Sequence, residues 1–495
     1  MFSLTNRHLQ IFRRPGTACS TTSFRLGTTR NTSNMPLFSR LQPCISRNLS
    51  INTSQDPPAS DLEELEFWRQ VPTFRDTSRD EFLSWHWNTK NVVETKQRLS
   101  DFLDVVVPEK IPRPGSKAGM QTRDEFLGDV FGGIKSSTMS VRLMPHVLSR
   151  MNWADPANCP IVRQFIPQRS IMIKDHPYSG LDSLHEKADM PVDGVVHRYP
   201  DKALFLPLSA CPVYCTFCTR SYGVGANTDL LVKGPFKLSR GRLENAFAYI
   251  ESQDDLKDIV VSGGDAYYIP PHVLEWIGDR LINMKNIERF RIASKGLAVA
   301  PNRFLEIGDP WVEALLRISD KSRQAGKHFA LHTHFNHPNE ISWITEKASR
   351  RLSQLGVTVR NQSVLLRGVN DNVATMSSLI RKLAQMTIQP YYVYQCDMVP
   401  KVEHLRTPLQ TILDIESQLR GSIAGFVMPN FVVDLPGGGG KRLACSFDSY
   451  DRDTGVSAFQ SPVLTNKDKA GKIYKYYDPL KPCSEKGRIE VFRGE

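Results

Sequence analysis

No apolar run in this chain approaches the ~18 residues that a membrane-spanning helix requires. The stretch Ala203–Ala210 (ALFLPLSA) is long enough only for a buried strand. Cysteine is sparse: nine residues, an odd number at irregular spacings, which excludes a disulfide framework and points to a reducing compartment. No sequence repeat is present, and the hydrophobic (40%), aromatic (9%) and charged (23%) fractions lack the bias of a disordered or collagen-like chain. The 495 residues therefore fold as about two to four domains or one large barrel with additions.

Acidic residues are missing from one end. Residues 1–55 hold Arg7, Arg13, Arg14, Arg25, Arg30, Arg40 and Arg47, with no Lys, Asp or Glu before Asp56. A Ser/Thr-rich, Arg-dotted, acid-free leader predicts a transit peptide, removed near Arg47–Gln55, and a mitochondrial matrix protein. A disordered basic tail is the alternative reading. Of the net charge of +11, the leader carries +7, so the remaining 440 residues carry only +4. That small excess predicts no nucleic-acid partner.

Residues 60–105 read as charged, Trp-containing helices, followed by a loop over 108–119 and further helix to about Met151. From Ala203 onward, apolar runs at 203–209, 258–264, 289–294, 328–335, 357–366 and 391–396 alternate with helical stretches such as Pro271–Met284 and Trp311–Gly326. Alternating β and α units imply a parallel sheet. Six of them predict an α/β fold built on a partial or open (β/α)6 TIM-like barrel, with its site where strands run into loops. The expected organisation is a leader (1–55), an N-terminal helical region (56–190), the barrel (191–400) and a C-terminal segment (401–495). A last strand, Phe431–Leu435, enters Gly437–Gly440 and Lys441, and the tail beyond 455 is polar and uninformative.

Three cysteines crowd into eight residues just after the first barrel strand: Cys211, Cys215 and Cys218. Zinc normally takes four tetrahedral ligands, and no companion pair is evident. Three thiolates on a tight loop suit a [4Fe–4S] cluster with one iron left open to a small molecule. The segment Pro436–Lys441 (PGGGGK) is not a phosphate loop, because Leu435 and Arg442 stand where Gly and Ser or Thr are required. A lysine on such a turn can instead reach a deep site and form a Schiff base with pyridoxal phosphate, although the pattern alone favours a flexible surface turn. His332, His334 and His337 resemble a metal triplet, but no nearby carboxylate completes a familiar set, so hydrogen-bonding roles are expected.

The spacing of the triad, with Phe217 before its last Cys, is the signature of the radical S-adenosylmethionine superfamily. Ser262-Gly263-Gly264-Asp265 resembles that superfamily's segment for the methionine end of the cofactor. More specifically, the chain resembles the lysine 2,3-aminomutase family over about residues 150–445. The shared segments include DPANCPIVRQFIP (155–167), VHRYPDKALFL (196–206), CPVYCTFCTR (211–220), VSGGDA (261–266), LHTHFNHPNEI (331–341), VLLRGVND (364–371), YYVYQCD (391–397) and FVVDLPGGGGK (431–441). The resemblance implies that Cys211, Cys215 and Cys218 hold the cluster, Lys441 carries pyridoxal 5′-phosphate and Arg198 binds its phosphate. It further implies that Arg220 pairs with a substrate carboxylate, and that Asp397 and Asp434 take a lysine ε-ammonium. His334 is a candidate for the S-adenosylmethionine pocket.

The implied reaction is a 1,2-amino shift between L-lysine and β-lysine, with an electron donor for the cluster as partner and homo-oligomerisation left open. The alternatives are the same shift on glutamate or on a protein-bound lysine, or a non-catalytic iron–sulfur protein. Three places depart from the family pattern. Lys202 replaces an Arg, Asn372 and the lone tail Cys483 leave the family's structural zinc ligands absent, and Ser294–Leu297 differs after the third strand.

Overall fold

The structure is a computed structural model describing residues 66–115 and 119–480; the arginine-dotted leader and Cys483 lie outside the described residues. Six short helices build the N-terminal region: Arg79–Leu83, Trp85–Lys90, Lys96–Val106, Arg123–Lys135, Pro145–Arg150 and Pro160–Phe165. Ser78, Ser84, Thr95 and Thr122 start four of them by accepting the backbone N–H three residues on. Proline occupies the first turn of the other two. The expected loop at 108–119 instead contains one strand of a hairpin, β1 (Lys110–Pro112) pairing antiparallel with β2 (Met120–Thr122). The helix expected to continue to Met151 is interrupted between Lys135 and Pro145.

The centre is a nine-stranded sheet whose strands lie side by side in chain order. They are β3 (Val195–Tyr199), β4 (Lys202–Phe205), β5 (Asp258–Val261), β6 (Arg289–Ala293), β7 (His328–Thr333), β8 (Val359–Leu365), β9 (Ile388–Gln395), β10 (Asn430–Leu435) and β11 (Gly440–Leu443). Strands β4 to β10 are parallel, and β3 and β11 add antiparallel edges. Helices Arg240–Glu251, Pro271–Asn283, Pro310–Gln324, Trp343–Gln354, Val373–Gln385 and Leu409–Leu419 make the crossovers. The six expected β/α units are β4 to β9 with their helices.

Strand periodicity separates two environments. On β6, Phe290 and Ile292 are buried in the main apolar core, whereas Arg291 and Ala293 line a central cavity. On β8, Val359 and Leu365 belong to that core while Gln362 and Val364 line the cavity. The sheet curls until its first and last strands meet through side chains. The Tyr199 hydroxyl on β3 accepts the Lys441 N–H of β11 at 2.9 Å, and Arg198 Nη1 lies 3.7 Å from Asp434 Oδ1. The result is a partial barrel whose seam is closed by polar groups rather than by a backbone ladder.

The C-terminal tail contributes more than its polarity suggests. β12 (Ser449–Asp451), β13 (Val456–Gln460) and β14 (Ile473–Tyr477) form a small antiparallel sheet. Its alternate residues Phe459 and Tyr476 are buried, and the Tyr476 hydroxyl donates to the Cys396 carbonyl at 2.9 Å. No helix among the described residues is long and apolar enough to cross a membrane.

Candidate active site

The loop that leaves β4 carries the cysteine triad and is pinned from outside the barrel. The Tyr214 N–H donates to the Arg142 carbonyl and the Thr216 N–H to the Gln164 carbonyl, at 3.1 and 2.9 Å. Burial pushes all three thiols up, Cys215 to about 12, and for Cys211 and Cys215 the other triad sulfurs oppose a second thiolate. A soft metal centre removes that cost, because a coordinating thiol is deprotonated outright. No set of three or more His, Cys, Asp or Glu among the described residues is placed to hold a single ion. An iron–sulfur cube does not require such convergence, since it offers each thiolate a separate iron; the donor set fits it.

The segment after β5 lies directly on the cysteine loop. Gly264 and Asp265 donate their N–H groups to the carbonyls of Leu208 and Ala210, at 2.6 and 2.9 Å. A Cβ on Gly263, whose φ is +103°, would sit 2.3 Å from the Leu208 oxygen, and one on Gly264 2.5 Å from that of Ala210. These glycines are therefore needed for backbone packing against the cysteine loop, a reason beyond the ligand approach expected of them. Asp265 accepts from the backbone N–H groups of Tyr267 and Lys295 at 2.8 and 2.7 Å, and burial raises its carboxyl to about 6. The divergent loop 294–297 is anchored here too, with Lys295 Nζ donating to the His334 carbonyl at 2.6 Å.

His334 Nε2 lies 3.1 Å from Asn336 Oδ1, and burial holds the ring neutral. His332, one alternation back along β7, also lines the cavity, and its Nε2 has no hydrogen-bond partner. His337 turns away to cap residues 338–340. The three histidines do not share a site.

At the other end of the cavity, the β10–β11 register sets Asp434 opposite Lys441. The turn between them has positive φ at Gly437, Gly438 and Gly440, and a Cβ on Gly439 would meet the Tyr474 ring at 2.5 Å. Lys441 Nζ donates to Asp434 Oδ2 at 2.6 Å. Burial disfavours the ammonium, but the Asp434 charge and hydrogen bond together with Tyr199 and Tyr394 outweigh it and hold the Lys441 pKa well above its ordinary value. Asp434 Oδ1 is buried without a hydrogen bond. Asp397 accepts from Thr219 Oγ1 at 2.6 Å; burial, then repulsion from Asp434, pushes it up to about 7.

Arg198 donates Nε to Asp189 Oδ2 at 2.7 Å and Nη2 to the Leu184 carbonyl, leaving Nη1 nearest Asp434. Lys202, where the family pattern has Arg, lies over the Tyr199 ring at 4.3 Å and lines the same cavity. Asn372 caps the helix Val373–Gln385 by accepting the Thr375 N–H at 2.9 Å.

All thirteen residues given a cluster, cofactor or substrate role from the sequence line this one cavity, which with the open space at its mouth amounts to about 1940 Å³. Sequence reasoning missed their partners: Glu186 and Asp189 before β3, Thr219 beside the triad, Tyr199 and Tyr394 around Lys441, and Lys469 in the tail. The available signal was three acids, Asp182, Glu186 and Asp189, placed just upstream of a cationic motif.

Three thiols at the end of a parallel strand, stitched to a glycine pair at the end of the next strand of a partial β/α barrel, are the arrangement that the sequence led us to expect of a radical S-adenosylmethionine enzyme. No family model matches the chain. It is similar to the L-lysine 2,3-aminomutases of Clostridium subterminale (35% identity over 373 residues, 75% of this chain and 80% of that one) and Fusobacterium nucleatum (33% over 368 residues, 74% and 77%). It is also similar to the glutamate 2,3-aminomutase of Clostridioides difficile (29% over 364 residues, 74% and 77%). The chain belongs to the lysine 2,3-aminomutase family.

Proposed function

We propose that the protein is an isomerase that interconverts L-lysine and β-lysine, with S-adenosylmethionine, a [4Fe–4S] cluster and pyridoxal phosphate as cofactors. The observation that carries the choice of lysine is at Asp434. This carboxylate already holds a primary alkylammonium, that of Lys441, at 2.6 Å. Its second oxygen is buried and unsatisfied, and the Asp397 carboxyl is close enough to feel its charge. Such a site suits the ε-ammonium of a substrate and opposes the second carboxylate of glutamate.

When bound, the three cofactors supply the radical chemistry of hydrogen abstraction and amine migration. Cys211, Cys215 and Cys218 would hold the cluster, with Ser262–Asp265 and His334 beside the S-adenosylmethionine. Lys441 presents its amine to the pyridoxal aldehyde, and Arg198 with Lys202 supplies cations for the phosphate. Arg220 presents a planar fork to the substrate α-carboxylate. Asp397 and Asp434 hold the far ammonium, which fixes the reacting carbons between the two ends. The acid-free, Arg-dotted leader supports placing the protein in the mitochondrial matrix; a leader–fluorophore fusion that stays cytosolic refutes that placement.

The deciding experiment is anaerobic reconstitution followed by separate assays with L-lysine and L-glutamate, reading products by chromatography and mass. An isomer of lysine, with glutamate unchanged, is the expected result. Turnover of glutamate in preference to lysine overturns the reading.

A further inference from the structure

The segment Asp182–Asp189 runs as a strap past the substrate end of the cavity. Its Ser183 carbonyl accepts the Gly437 N–H at 2.8 Å, which ties it to the glycine turn before Lys441. Its Leu184 carbonyl and Asp189 carboxylate both take Arg198, and Asp189 also takes Lys469 Nζ at 2.5 Å. The Asp182 carboxylate accepts the N–H groups of Glu186 and Lys187, at 2.8 and 3.0 Å, and His185 adopts a left-handed conformation with φ +51°. This local fold brings Glu186 inward. Its side chain is only 3% exposed, and its two oxygens accept Arg220 Nε at 2.8 Å and Nη2 at 2.7 Å. The Tyr222 hydroxyl adds a third hydrogen bond to Glu186 Oε2 at 2.9 Å.

A guanidinium has two edges that match a carboxylate. Glu186 takes the Nε/Nη2 edge, which leaves Nη1 outside that contact, and Arg220, still 22% exposed, lines the cavity. We infer that Glu186 is a positioning residue that grips Arg220 by one edge and aims the other at the substrate α-carboxylate, which makes the 182–189 strap part of the specificity apparatus. The inference rests on the reading that Arg220 receives that carboxylate. The grip fixes a long side chain before substrate arrives, so less rotamer freedom is lost on binding. The two-point contact also fixes the plane of the fork, which a single hydrogen bond does not.

The test measures Kd for L-lysine and for L-lysinamide, which lacks the carboxylate charge, by calorimetry on the reconstituted enzyme without reductant, so that no turnover occurs. The variants are Glu186→Gln, Glu186→Asp, Tyr222→Phe and Arg220→Gln, each checked for cluster absorption and far-ultraviolet dichroism. The wild type is expected to prefer lysine at least tenfold. Glu186→Gln and Glu186→Asp are each expected to lower that preference fivefold or more, the latter although it keeps the charge. Tyr222→Phe leaves both Arg220 contacts in place and is expected to lower the preference about twofold; it carries the test where the Glu186 variants do not fold. A preference that stays within these limits or rises, while Arg220→Gln abolishes it, overturns the role of Glu186 and leaves that of Arg220 standing. A preference unchanged in Arg220→Gln overturns the reading of Arg220, and the inference with it.

Discussion

Asp397 makes the pH dependence of the enzyme calculable. Burial and then the charge of Asp434 push its carboxyl up to about 7, against the smaller opposing effects of the Thr219 hydrogen bond and the Lys441 ammonium. Only the ionised carboxylate can pair with a substrate ammonium. About one site in ten is ionised at pH 6 and about nine in ten at pH 8. Since kcat/KM reports the free enzyme, it should fall about tenfold for lysine between pH 8 and pH 6. Asp397→Asn should remove that limb and lower the plateau by about 10- to 100-fold, the worth of a charge-assisted hydrogen bond. Stability should run the opposite way. The folded pKa lies above the ordinary aspartate value of 3.8, so the native state holds a proton that the unfolded chain releases. The resulting stabilisation is fully present below pH 4 and is lost as pH rises through 7; it amounts to at most about 4 kcal/mol. Anaerobic initial rates across pH 6–8.5, with thermal melts of the ligand-free protein at the same values, check both signs. A wild-type profile that is flat below pH 8, or an acid limb with the same midpoint in Asp397→Asn, refutes the reasoning.

Lys441→Ala should abolish lysine turnover while reductive cleavage of S-adenosylmethionine to deoxyadenosine remains detectable by chromatography; surviving turnover removes Lys441 from the reaction. Gly264→Ala drives a methyl group into the Ala210 carbonyl and the Ser209 backbone, at 2.5 and 2.6 Å, and should part the two loops. Binding of S-adenosylmethionine should then weaken at least tenfold in equilibrium dialysis, and unchanged binding shows that the loops yield without cost. Cys218→Ala should eliminate the cluster's visible absorption after reconstitution yet keep the far-ultraviolet dichroism, because Cys218, unlike Cys215, packs against none of the apolar clusters.

The parallel strands were legible because most of their outward residues enter the apolar core, giving short apolar runs between glycine and polar punctuation. The edge strands were not. β3 contains His197, which meets Tyr249, and Arg198, which lines the cavity, and β11 reads Gly-Lys-Arg-Leu with Lys441 on the cavity and Leu443 exposed, so neither strand shows an apolar run. The β1–β2 hairpin was hidden because each strand has only three residues. The tail beyond 455 looked uninformative because every second residue of β13 is turned toward the core and the rest are not. The site was legible wherever a motif sits at a strand end, and illegible wherever a role depends on a partner distant in sequence. Glu186 and Arg220 are 34 residues apart, and Asp189 and Lys469 are 280 apart; nothing in local pattern couples either pair.

Those missed partners change what ligand binding means in this cavity. Arg220 holds Glu186, Lys441 holds Asp434 and Arg198 holds Asp189, so three groups expected to meet a ligand already have a counter-ion. A buried charge without a partner is strongly destabilising, so a barrel lined with isolated cations and carboxylates would not tolerate long ligand-free intervals. Supplying the counter-ions from the 182–189 strap and from β10 keeps the empty site folded. On the proposed roles it also makes binding an exchange, in which an ammonium would displace or share with Lys441 at Asp434 and a carboxylate would share Arg220 with Glu186. Each exchange lowers the net gain from a correct end group and leaves an incorrect one facing a like charge. The cavity therefore favours discrimination over tight binding, which suits an enzyme that must release a product differing from its substrate only in the position of one amine.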